Sequence, residues 1–169
     1  MTAAQASISV ILDDEAATAR FASRIALLAR RGDVIALSGA LGAGKTTFAR
    51  AFIAARFAAD GLPAEDVPSP TFTLVQTYDL PSGEIWHFDL YRLEDPDEAD
   101  ELAIDEAFAT GISLIEWPDR LAGRLPARHL DVVLDRVAAG EPSKRRVQVF
   151  VHDGSSDGWA GRIAADLDA

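Results

Sequence analysis

Apolar positions recur along this chain with a period of about two residues in some stretches and between three and four in others, and each change of period marks an element. Ile8-Ser9-Val10-Ile11-Leu12 reads as a short strand, and Asp13 or Asp14 is placed to cap a helix after it. That helix carries Phe21, Ile25 and Leu28 on one face and stops near Arg30, Arg31 and Gly32. Val34-Ile35-Ala36-Leu37 is a continuous apolar strand, and residues 48–57 read as a helix. A connection punctuated by glycine and proline, residues 61–70, leads to strands over 72–78 and 85–89, joined by the turn Pro81-Ser82-Gly83. Asp95-Pro96 opens a helix predicted to reach Phe108, and Ile112-Ser113-Leu114-Ile115-Glu116 is a short buried strand ending in a carboxylate. Residues 130–137 and 146–151 form a late antiparallel pair around Gly140, and Trp159, Ile163 and Leu167 recur at helical spacing as a packing face.

Between the second strand and the second helix lies Gly39-Ala40-Leu41-Gly42-Ala43-Gly44-Lys45-Thr46-Thr47, the pattern G-x-x-x-x-G-K-[ST]. A polyphosphate is strongly solvated, so a protein must match water's hydrogen bonds to hold it. Glycines let the backbone curl with its N–H groups inward, and the following helix adds its positive end. Lys45 then reaches the β- and γ-phosphates, and the Thr46 hydroxyl can ligate Mg²⁺. With helices and strands interleaved, this predicts one domain over residues 1–169. It is an α/β three-layer P-loop NTPase fold with a mainly parallel central sheet, the late antiparallel pair, and ligands at strand C-terminal ends.

Composition narrows the chemistry. The 169 residues include no cysteine, which excludes disulfides, thiolate nucleophiles and Cys-ligated zinc. Net charge is −11, a field that repels nucleic-acid backbones, so direct contact with DNA or RNA is disfavoured. No apolar run approaches the length of a membrane span, and the start lacks a basic segment followed by an apolar one, so a cytoplasmic protein is expected. The chain contains no asparagine and hence no guanine-reading N-K-x-D motif, and it has no D-x-x-G. ATP is favoured over GTP.

A phosphate loop needs a carboxylate nearby to complete the magnesium shell. Glu116 and Asp89 each close a predicted strand, and either can serve the metal while the other orients the attacking water. Ser69-Pro70-Thr71 sits where a γ-phosphate-sensing loop would lie, with both hydroxyls as candidates, although a plain loop-to-strand junction fits nearly as well. His87 reads as a half-buried strand residue. Arg92 fits equally a transition-state cation and a partner for the acids after it. Residues 94–106 hold eight carboxylates and no basic side chain, either a solvated face or a docking surface for a basic partner. Arg120, Arg124 and Arg128 keep open a small-molecule kinase, whose lid would carry arginines.

Taken together, Gly39 to Thr47, Ser69-Pro70-Thr71, His87-Phe88-Asp89-Leu90-Tyr91-Arg92 and Glu116-Trp117-Pro118 resemble the TsaE family, the bacterial ATPases of tRNA threonylcarbamoyladenosine biosynthesis. The likeness runs from about residue 8 to 151, in motif order. It implies a hydrolase that is slow alone and works with the TsaB–TsaD pair, touching tRNA only through that complex. It makes Gly39, Gly42, Ala43, Gly44, Lys45, Thr46 and Thr47 nucleotide-binding, with Ser69 and Thr71 beside them. Thr46 and Glu116 become the Mg²⁺ ligands, and Asp89 acts with Lys45 in catalysis near the γ-phosphate. Glu15 falls where the family contacts nucleotide, and Arg145 is the best match for a late nucleotide-facing arginine, in a stretch where this chain carries extra residues. Trp117 supports the metal loop or a partner contact. Ala40 replaces a common acidic residue, with little consequence expected because the cradle is made of backbone.

Overall fold

The computed structural model describes residues 5–153 and 157–167. Strand β1 (Gln5–Leu12) leads to helix α1 (Glu15–Leu28), whose first turn is capped by Asp14 accepting from the Ala17 amide at 2.7 Å. Then come β2 (Val34–Ser38), α2 (Lys45–Ala59), β3 (Val75–Tyr78) and β4 (Ile85–Asp89). The second half holds α3 (Ile104–Thr110), β5 (Ile112–Glu116), β6 (His129–Arg136), β7 (Arg145–His152) and α4 (Trp159–Leu167). Tight 3-10 turns at Pro96–Leu102 and Pro118–Leu121 precede α3 and follow β5.

The seven strands form one sheet in the order β1-β7-β6-β2-β5-β4-β3. The central four run parallel, while β1–β7, β6–β7 and β3–β4 pair antiparallel. The sheet is therefore mixed, and the expected parallel character holds only for its core. The tight turn after Tyr78 allows no crossover, so β3 and β4 must fold back as a hairpin. On the other edge, β1 joins the late β6–β7 pair.

Burial explains the centre. Val34, Ile35, Ala36 and Leu37 of β2 are fully enclosed, as a parallel strand covered on both faces requires. On one face Ile35, Leu37, Leu114 and Leu130 pack under α1, α2 and α4 through Ile25, Phe48, Phe52, Trp159 and Ile163. On the other, Val34, Trp86, Phe88 and Ile115 meet Leu93 from the loop after β4 and Ala99, Ile104 and Leu121 from α3 and the 3-10 turns. The side chain of Leu167, expected to share the α4 packing face, lies outside the described residues.

Two predicted elements differ from the observed ones. The strand placed at 72–78 begins only at Val75, because the Leu74 amide donates to Pro70 O at 2.7 Å and closes a turn, with Leu74 at φ +65°. The helix placed from Asp95-Pro96 to Phe108 is a 3-10 turn, a break at Ala103 (φ +56°), and then α3. Carboxylates at positions 97, 98, 100 and 101 would repel one another across a regular α-helical turn.

Candidate functional site

The site grows from the C-terminal ends of the parallel strands. After β2 the chain curls through Gly39 to Gly44 and enters α2 at Lys45. Gly39 has φ +146°, and a Cβ there would stand 2.3 Å from Leu134 O on β6, so only glycine fits. Gly44, at φ +109°, turns the chain into the helix. Lys45 is almost fully enclosed, and its Nζ donates to Gly39 O at 2.7 Å and Ala40 O at 2.9 Å, with the Trp117 ring centroid 4.0 Å away. Burial lowers its pKa, and the neighbouring Glu116, Asp89 and Asp119 offset part of that effect.

Beside the loop, β4 and β5 pair so that Asp89 stands opposite Glu116. Thr46 Oγ1 donates to Glu116 Oε2 at 2.9 Å, and His87 Nε2 donates to Oε1 of the same carboxylate at 2.9 Å. His87 is completely buried rather than half-buried, and its Nδ1 has no hydrogen-bond partner among the described residues. Asp89 accepts from the Thr71 hydroxyl at 3.2 Å and from the Tyr91 amide at 3.1 Å, and Thr71 is joined to Ser69 at 2.7 Å. Lys45, Thr46, Thr71, Asp89 and Glu116, with Gly42, Gly44, Thr47 and Arg145, surround a cavity of about 270 Å³. A hydroxyl and a carboxylate oxygen side by side form a hard oxygen donor set, which suits Mg²⁺.

A second cavity of about 310 Å³ shares Gly44, Thr47 and Arg145 with the first and is lined by Glu15, Thr18, Pro142 and Ser143. Arg145 clasps the loop from outside, its Nε donating to Ala43 O at 2.7 Å. The structure thus brings Glu15 and Arg145 to one side of the loop and Ser69, Thr71, Asp89 and Glu116 to the other.

Other candidates lie apart. The Arg92 guanidinium sits 4.3 Å over the exposed Phe72 ring, away from the loop cavity. Arg120 donates to Leu93 O at 3.5 Å, and Arg124 donates to Pro96 O at 2.7 Å and pairs with Asp100. Both brace the 3-10 segment. The sequence reading missed what His87 does. Its alternation with Trp86 and Phe88 places it on the face of Asp89, a signal that became useful only with the register of β5.

A family model described as threonylcarbamoyl adenosine biosynthesis protein TsaE matches residues 12–147. A tRNA threonylcarbamoyladenosine biosynthesis protein TsaE from Rickettsia bellii is 39% identical over 124 residues, covering 73% of this chain and 83% of that protein. One from Bacillus subtilis is 39% identical over 126 residues, covering 73% and 75%, and one from Aquifex aeolicus is 36% identical over 144 residues, covering 83% and 94%. The crystal structure of Bacillus subtilis YdiB superposes with a TM-score of 0.74 at 24% identity, covering all of both chains. That structural likeness concerns the fold.

Proposed function

This chain belongs to the TsaE family of tRNA threonylcarbamoyladenosine biosynthesis proteins, and from that premise we propose that it is a Mg²⁺-dependent ATPase whose ATP binding and hydrolysis support turnover of the TsaB–TsaD pair. The observation that carries this reading is the meeting of the glycine loop, Thr46, Glu116 and Asp89 at the C-terminal ends of the central strands, with the Thr46 hydroxyl 2.9 Å from Glu116.

Loop amides and Lys45 hold the phosphates, and Lys45 exchanges its two carbonyl partners for phosphate oxygens. Thr46 and Glu116 hold Mg²⁺, which when bound spreads the negative charge of the phosphates. His87 fixes the Glu116 carboxylate from behind. Asp89, itself oriented by Thr71 and the Tyr91 amide, aligns a water and accepts its proton as the water oxygen bonds to the γ-phosphorus. The bond to the bridging oxygen breaks, leaving ADP and phosphate. Arg92 lies over Phe72, away from the loop cavity, whereas Arg145 lines that cavity and, like Lys45, donates to a loop carbonyl. An arginine brought to the phosphates only when a partner binds would make turnover slow alone and faster with TsaB–TsaD.

The kinase reading loses support because Arg120 is tied to Leu93 and Arg124 to the first 3-10 turn rather than poised over an acceptor. Incubation with Mg-ATP and no acceptor separates the two. The ATPase yields ADP and free phosphate in equal amounts, faster with TsaB–TsaD, whereas ADP formed only when an acceptor is supplied would favour a kinase.

A further inference from the structure

At the opposite end of the sheet, three side chains converge that the nucleotide site does not use. His129 opens β6 and stands directly opposite His152, which closes β7. Asp131 lies two residues along β6, and the two-residue period of a strand puts it on the same face as His129. Leu130, Val132 and Val151 alternate with them and point into the core under α1 and α2, so the three polar groups face the other way. All three are partly buried. Because β6 runs parallel to β2 and spans eight residues at about 3.3 Å each, this cluster sits roughly 20 Å from the phosphate loop.

The geometry is that of a metal-ligand set. His152 Nε2 lies 2.8 Å from Asp131 Oδ2, His129 Nε2 lies 3.5 Å from Asp131 Oδ1, and the three donor atoms all fall within 4.8 Å of one another. A tetrahedral ion with bonds near 2.1 Å spaces its donors by roughly 3.4 Å; the two imidazoles stack with centroids 4.2 Å apart and planes at 10°, so at least one ring must swing out of the stack for both lone pairs to meet one ion. The tautomer of His129 is fixed. Its Nδ1 lies 2.7 Å from Pro126 O, which can only accept, so Nδ1 carries the hydrogen. In the neutral ring Nε2 therefore presents a lone pair toward a carboxylate oxygen, a position that either a second proton or a metal ion satisfies. A backbone carbonyl holding the far nitrogen is also the usual support of a metal-bound histidine.

We propose that His129, Asp131 and His152 form a zinc site. Two imidazoles with one carboxylate select a first-row divalent ion over magnesium, and three protein ligands leave a fourth position for water or for a donor from a bound partner. The ion would tie the start of β6 to the end of β7, and His152 would ligate it through Nε2 with its hydrogen carried on Nδ1.

The test uses the full chain freed of metal and titrated with Zn²⁺ against a chromophoric chelator, with Co²⁺ absorption as a second readout. The expected result is one zinc per chain, unaffected by millimolar magnesium, and visible cobalt bands of a four-coordinate ion. Asp131→Asn, which keeps the shape, and His152→Ala should each weaken zinc by about 100-fold or more and erase the cobalt bands while Mg-ATP binding persists. If His152→Ala fails to fold, Asp131→Asn and the cobalt spectrum of the unaltered chain decide. Zinc bound well below one per chain, or with unchanged affinity in a folded Asp131→Asn chain, would overturn the proposal.

Discussion

His87 and Glu116 share a buried hydrogen bond, Nε2 to Oε1 at 2.9 Å, while the second oxygen of that carboxylate holds the Thr46 hydroxyl at the same distance. The ring thus acts on the carboxylate proposed to hold the metal without facing the cavity. His87→Ala should lower Mg-ATP affinity by about 10- to 100-fold, the usual cost of losing a group that orients a ligand. Nucleotide binding without magnesium should change little, and His87→Gln, which keeps a donor, should recover part of the loss. Titrations with and without magnesium check this. A magnesium dependence identical to the unaltered protein would reduce His87 to packing.

Gly39 is fixed by Leu134. In Gly39→Ala the new methyl group would meet Leu134 O at 2.3 Å, at a backbone angle unfavourable for alanine. The loop must move or β6 must yield, with an expected cost of about 1–3 kcal/mol. Urea unfolding monitored by tryptophan fluorescence measures it, and Mg-ATP affinity should fall in parallel. A chain as stable as the original would mean that the approach of loop and strand is looser than described.

All eight carboxylates between Glu94 and Glu106 are exposed, but they are not equivalent. Asp95 caps the 3-10 turn and Asp100 pairs with Arg124, so both serve the fold. Neutralising Glu94, Glu98, Glu101 and Glu106 instead should slow association with the TsaB–TsaD pair while leaving dissociation nearly unchanged. With a Debye length of about 8 Å at physiological salt, the difference should shrink as salt rises. Stopped-flow association across ionic strengths tests it, and rates independent of both charge and salt would make the segment a solvated face only.

Nucleotide choice follows from what the chain lacks. With no asparagine and no guanine-reading motif, it should bind ATP more tightly than GTP. Competition of the two against a fluorescent ATP analogue measures the preference, and equal affinities would remove that argument.

The phosphate loop was legible in the sequence because its residues are contiguous and each carries a local reason. The position of Glu116 and Asp89 beside the loop was legible because a carboxylate closing a buried strand is unusual in itself. The bond from His87 to Glu116 was not, since it depends on the register between β4 and β5, which alternation within one strand does not specify. The same holds for His129 and His152, whose strands were predicted to pair without a stated register. Edge strands were harder than central ones: β2 announces its double burial through four apolar residues in a row, whereas the turn before β4 showed a hairpin whose effect on the sheet was passed over. The acidic segment misled because its proline start and its aspartates fit a helix N-terminus, while the repulsion among them outweighs that signal beyond the first turn. Membership of the TsaE family was legible from spaced motifs, and the family match bears it out.

The central claim is that Glu116 serves the metal and Asp89 the chemistry at one Mg-ATP site built on Lys45. Mg-ATP titration together with phosphate release, on Glu116→Gln, Asp89→Asn and Lys45→Ala, tests it most directly. Lys45→Ala should lose both binding and hydrolysis, and Glu116→Gln should lower both. Asp89→Asn should keep affinity within a few-fold while turnover falls by about 100-fold. Loss of Mg-ATP binding in folded Asp89→Asn with retention in Glu116→Gln would reverse the two roles, and undiminished hydrolysis in all three variants would contradict the site itself.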